Sequence, residues 1–120
     1  MDDKAVVLRL PWPPSMNHYW RRVGNRTLIS REGRRYREAV GMVCRMQRVE
    51  RIEGRLAVQI VAYPPDRRRR DLDNLQKALL DAMEHAGVYG DDAQIDRLLI
   101  ERGEWMCEGG RVEVWVRKKV

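Results

Sequence analysis

The sequence predicts an α+β fold: a single domain over residues 1–120, in which a mixed β-sheet of about four to six strands carries two main helices packed on it. Short β-branched and aliphatic runs with period-two alternation recur along the chain, and two longer stretches repeat apolar residues at three- and four-residue steps. No linker, repeat or low-complexity segment divides them.

Residues 4–10, Lys-Ala-Val-Val-Leu-Arg-Leu, form the first expected strand, stopped by Pro11 and followed by an irregular turn through Pro13 and Pro14. Tyr19 to Arg22 and Arg26 to Ile29 flank Gly24 and Asn25, the chemistry of a hairpin tip. Ser30 is suited to cap a helix running to about residue 50, with Tyr36, Val40, Val43 and Cys44 on one face. Its arginines, Arg31, Arg34, Arg35, Arg45 and Arg48, lie mostly elsewhere.

Residues 55–63 put Leu56, Val58, Ile60 and Ala62 on one face of a strand that Pro64 and Pro65 end. A second helix is expected from about Asp73 to His85, with Leu72, Leu75, Leu79, Met83 and Ala86 as its inner stripe and Gly87 as its stop. Residues 96–102 and 111–117 complete the set, the last alternating Val112, Val114 and Val116 against Arg111, Glu113, Trp115 and Arg117. Gly109 and Gly110 turn between them, and Trp105 and Trp115 are expected at the core or a dimer contact.

At 120 residues the chain supports one core, small enough for an oligomer to add stability. Lysines and arginines number 24 against 18 acidic residues, and the net charge of +6 points to a polyanionic partner. No apolar run approaches the roughly 18 residues of a membrane span, so no membrane partner is expected. The start lacks the basic and then apolar pattern of a secretory signal, which places the protein in the cytoplasm. Cys44 and Cys107 lie far apart without Cys-x-x-Cys spacing, which suggests neither a disulfide framework nor a zinc site. His18 and His85 are isolated and receive no role.

Chemistry concentrates in Arg67-Arg68-Arg69-Arg70-Asp71-Leu72-Asp73-Asn74-Leu75-Gln76-Lys77. Four adjacent guanidinium groups repel one another unless an anion balances them, and phosphate is the anion whose geometry they match. Asp71 and Asp73 share a side only in extended backbone, so a strand-to-helix junction would present both carboxylates together. A structural alternative is equally open: Asp73 and Gln76 fit a capping box, and Asp73 is spaced to pair with Lys77. Asp91 and Asp92 form another acidic pair just beyond the second helix, where Gly-Asp-Asp is also ordinary turn composition.

Carboxylates without clustered histidine or cysteine select hard cations such as Mg2+, with Mn2+ as a substitute. Acids set among arginines then point to metal-assisted phosphodiester chemistry, with the arginines attracting the backbone and Lys77 neutralising charge that grows on the phosphate. Pro13, Pro14 and Ser15 with Asn17 and Tyr19 read either as a loop reaching DNA or a partner subunit, or as proline-aromatic packing at a strand end.

Three stretches together carry a resemblance: Pro11-Trp12-Pro13-Pro14-Ser15 with Asn17 and Tyr19, Asp66 through Lys77, and Asp91-Asp92-Ala93-Gln94. On these residues the chain resembles the RusA family of Holliday junction resolvases over most of its length. The resemblance implies a homodimeric, Mg2+-dependent endonuclease that resolves four-way DNA junctions by paired symmetrical nicks during recombination and repair, acting at the nucleoid. It implies Asp71, Asp73 and Asp92 as metal-binding catalytic acids, Asp91 being the lesser of its pair, and Lys77 as a residue required for cleavage. Junction binding would fall on Arg67, Arg68, Arg69, Arg70 and Asn74, with the first helix as a further surface. Arg102 stands where the family pattern has lysine. The competing readings are a non-catalytic branched-DNA-binding module and a nuclease indifferent to branch structure.

Overall fold

A computed structural model describes residues 5–119. The chain runs β1 (Val6–Pro11), α1 (Met16–Tyr19), β2 (Trp20–Val23), β3 (Arg26–Ile29), α2 (Arg31–Met46), β4 (Leu56–Tyr63), α3 (Asp73–His85), a 3-10 turn (Asp92–Gln94), β5 (Ile95–Arg102) and β6 (Arg111–Lys118). The expected α+β architecture is present, as a four-stranded sheet in the order β1-β6-β4-β5 and a separate β2–β3 hairpin. The sheet is mixed: β6 pairs antiparallel with β1 and β4, whereas β4 and β5 are parallel and joined through α3.

One face of the sheet is the core face. Leu8, Leu10, Leu56, Val58, Ile60, Ala62, Val112, Val114 and Val116 pack against Tyr36, Val40 and Cys44 of α2 and against Leu75, Leu79 and Met83 of α3. The alternation in β4 and β6 thus dictates which residues turn inward. Trp115 lies on the opposite face, half-buried, and Trp105 is exposed and stacks on Tyr63 at 5.2 Å between ring centroids. Neither tryptophan enters the core, which removes core burial from the two placements expected for them, core or dimer contact. Both cysteines are free, and burial pushes the Cys44 thiol up from its ordinary value.

Several boundaries differ from expectation for identifiable reasons. Pro11 closes β1 from within, because β1 is an edge strand where a missing N–H is tolerated; Lys4 lies outside the described residues. The irregular turn after Pro14 contains the short helix α1. Helix α2 ends at Met46 rather than near residue 50, because Arg48 adopts φ 55° and closes the helix. Its N–H bonds to Arg45 O at 3.1 Å and that of Val49 to Cys44 O at 3.0 Å. This arrangement normally uses glycine. Gly87 performs it as expected at the end of α3, with φ 88°.

Among the described residues no helix is long and apolar enough to cross a membrane.

Candidate active site at the two ends of α3

The segment between β4 and α3 is organised by Asp66. Its Oδ1 accepts from Arg70 Nη1 at 2.7 Å and from the Arg68 backbone N–H at 2.8 Å, and these bonds, with Arg70 first, hold its carboxyl far below the usual carboxylate range. Arg70 also lies 5.8 Å over the Trp12 ring, and its carbonyl accepts from Arg102 Nη2 at 2.6 Å. Arg70 is therefore tied into the protein, and Arg102 braces the acidic motif from β5. Arg67, Arg68 and Arg69 are exposed.

Asp71 and Asp73 follow at the start of α3, both exposed. The backbone between them is not extended, because Leu72 takes helical dihedrals of φ −63° and ψ −36° as the N-cap residue. No side chain caps this helix end, so the Asp73–Gln76 capping box is not formed. Nor is there an ion pair between Asp73 and Lys77 among the described residues. Both carboxylates stand at the N-terminal end of α3, where the helix dipole is positive. Asp71 lines a cavity of about 100 Å³ with Trp12, Pro13, Ser15, Arg70, Asn74 and Leu75, so the proline-rich loop is brought against the acidic motif.

The other acidic group forms at the far end of α3. Glu84, Asp91 and Asp92 bring one carboxylate oxygen each within 4.8 Å of one another, the only such trio of potential metal ligands among the described residues. Glu84 Oε1 accepts from the Asp92 N–H at 2.9 Å. Asp91 Oδ1 accepts from the Ala93 N–H at 2.8 Å, so the capping box of this region is Asp91–Gln94. Gln94 fastens the loop on both sides. Its Oε1 accepts from the N–H groups of Gly90 (2.9 Å) and Asp91 (3.0 Å), and its Nε2 donates to the carbonyls of Ile52 (3.1 Å) and Gly54 (2.9 Å). Asp91 is thus occupied structurally, and Asp92 projects an exposed carboxylate beside Glu84.

The three acids singled out in the sequence therefore fall into two places. Asp71 and Asp73 open α3, whereas Asp92 bonds to Glu84 three turns later, ~16 Å along the helix axis at 1.5 Å per residue. Lys77 lies one turn into α3, exposed like Asn74. Glu84 had no signal in the sequence beyond a place on the outer helix face. A further polar cluster also went unforeseen. Tyr19 of α1 donates its hydroxyl to Asp81 of α3, and Arg37 of α2 donates to the same Asp81 Oδ2 through Nε at 3.0 Å and Nη2 at 2.8 Å. Burial and the Asp81 bond push the Tyr19 hydroxyl well above its ordinary value.

Comparison with known proteins identifies the family. The family model described as Endodeoxyribonuclease RusA matches residues 11–117. A protein of Enterobacteria phage HK97 named Crossover junction endodeoxyribonuclease rusA is 43% identical over 106 residues, covering 88% of each chain. Its namesake in Escherichia coli K12 is 40% identical over 110 residues and that of Enterobacteria phage 82 is 41% identical over 110 residues, each covering 91% of both chains. All three motif regions fall within or at the edge of the matched span, and the chain belongs to the RusA family of endodeoxyribonucleases.

Proposed function

We propose that this chain is an Mg2+-dependent endonuclease that resolves four-way DNA junctions by paired symmetrical nicks during recombination and repair, acting as a homodimer on DNA in the cytoplasm. The observation that carries this reading is the placement of exposed acids at both ends of α3 on a chain of net charge +6, in a family whose named members cut crossover junctions. Arg67, Arg68 and Arg69 supply the positive field that draws a phosphate backbone toward Asp71 and Asp73. Asn74 flanks the same cavity and is suited to contact the bound strand.

The donor set fits a hard divalent cation: carboxylate oxygens only, at solvent-accessible positions. When bound, such an ion supplies Lewis acidity at a phosphate oxygen and lowers the pKa of water. Asp71, Asp73 and Asp92 are the residues assigned to hold it. Mg2+ keeps its ligands at about 2.1 Å, so acids ~16 Å apart along one helix cannot share an ion. In the homodimer proposed here, Asp92 of the second copy completes the site that Asp71 and Asp73 of the first begin. Two equivalent composite sites also suit two symmetrical cuts. Lys77 neutralises charge that develops on the phosphate, and Arg70 and Arg102 hold the acidic motif in place.

The test is incubation of the purified protein with a labelled synthetic four-way junction, with and without Mg2+, beside a linear duplex of the same sequence. Paired symmetrical nicks confined to the junction with Mg2+ are expected. A junction bound tightly but never cut would establish a binding module instead, and equal cutting of the linear duplex a nuclease indifferent to branch structure.

A further inference from the structure

The β2–β3 hairpin stands apart from the main sheet, and its charge is one-sided. Arg21, Arg22 and Arg26 are all exposed, and residues 16–30 contain neither aspartate nor glutamate. Among the described residues none of the three arginines is in an ion pair. Arg21 pairs across the hairpin with Leu28, Arg22 with Thr27 and Val23 with Arg26. Cross-strand partners share a face and neighbours along a strand alternate, so Arg21 and Arg26 lie on one face and Arg22 on the other. A strip resting flat on a polyanion would need cations on one face only. Cations on both faces fit a strip standing between two walls of negative charge.

The base of the hairpin is fixed. The Ser30 N–H and Oγ both bond to Tyr19 O at 2.9 Å, and Ser30 Oγ accepts from the Gly33 N–H at 2.9 Å. A Cβ at Gly33 would lie 2.5 Å from Tyr19 O and 2.7 Å from Ile29 Cγ1, which shows how closely α2 is set against the hairpin. Through Tyr19 and Asp81 the same base is joined to α3, the helix that Asp73 begins. The tip therefore projects from a rigid root held against α3 at Asp81, about two turns beyond Asp73. A four-residue strand spans ~13 Å, and the major groove of duplex DNA, ~12 Å wide, admits a two-stranded ribbon with phosphates along both edges.

We propose that this hairpin is a nucleic-acid contact separate from the arginine run: a cationic ribbon that enters a groove of one duplex arm and touches the phosphates on either side. It rests on the reading of branched DNA as substrate and adds which part of the chain grips the arm beyond the cut.

The experiment measures equilibrium binding over a range of salt concentrations, in EDTA so that nothing is cut. Wild type, R21Q/R22Q/R26Q and R21K/R22K/R26K are each tested on a labelled four-way junction and on one arm as a linear duplex. Each phosphate contact contributes about 0.9 to the slope of log affinity against log salt, so the glutamine variant is expected to lose about 2 to 3 from the slope on both DNAs. The lysine variant is expected to keep it. An unchanged slope in the glutamine variant, or an equal loss in the lysine variant, overturns the proposal. Wild-type binding without preference for the junction would sink the branched-DNA reading while leaving the slope comparison decisive on the linear duplex. Failure of wild type to bind either DNA would overturn both.

Discussion

Tyr19 and Asp81 are joined by a hydrogen bond from phenol to carboxylate, and Arg37 bonds to both of them, its Nε lying 3.1 Å from the Tyr19 hydroxyl. All three helices meet at this point. Asp81→Asn keeps the shape but leaves Arg37 without its counter-charge. The Arg37 and Asp81 side chains retain 22% and 27% exposure, so the cost lies below that of a fully buried pair, at about 1–2 kcal/mol. Urea unfolding of the variant measures it, and a midpoint equal to wild type would show that the cluster does not brace the helices.

Three tyrosines give the protein an alkaline limit. Burial raises the hydroxyls of Tyr19, Tyr36 and Tyr89 above the ordinary value of 10.0. Below about pH 10 both folded and unfolded tyrosines are protonated and contribute no pH dependence. Above it the unfolded chain releases protons that the folded chain keeps, so stability falls as pH rises. Melting temperature followed from pH 8 to 11.5 is expected to drop beyond pH 10, and less steeply in Tyr89→Phe. Parallel curves for the two proteins would contradict the assignment.

Because neither acid at the start of α3 caps the helix, neutralising them leaves the fold intact. Asp71→Asn and Asp73→Asn are each expected to change stability by less than about 1 kcal/mol, the value of a charge at a helix end. Junction affinity holds or rises, since a negative charge near phosphate is removed. Cleavage falls by more than about a hundredfold, corresponding to the loss of several kcal/mol of metal-derived stabilisation. Circular dichroism, gel-shift and nicking assays separate the three quantities, and retained cleavage in both variants would remove these residues from the site.

A composite site across two subunits has a distinctive genetic signature. Asp73→Asn and Asp92→Asn proteins are each expected to be inactive alone. Mixing them and allowing subunits to exchange creates a heterodimer with one doubly defective site and one intact site, so single nicks return. Sites built within one chain would leave every mixture inactive.

Elements supported by strong periodicity were legible in the sequence, and contacts between distant segments were not. The apolar steps of α3, its Gly87 stop and the alternation of β4 and β6 each follow from local physics and reappear at their expected positions. The end of α2 does not, because Arg48 occupies a conformation for which glycine is the recognisable sign. The capping box was legible in kind but not in place: both Asp73–Gln76 and Asp91–Gln94 have the spacing, and only the second forms. Which of two equivalent patterns closes depends on the backbone that enters it. The acidic motifs were visible as composition, but their separation by the length of α3, and the addition of Glu84 beside Asp92, appear only once the chain is folded.

Gln94 anchors the acidic loop with an amide that both donates and accepts. A glutamate there would set a carboxylate against the carbonyls of Ile52 and Gly54 and have no proton to offer them. Asparagine, one methylene shorter, would not span the gap. Slow deamidation at this position would therefore age the enzyme from outside its chemistry, loosening Asp92 while every acid stayed in the chain.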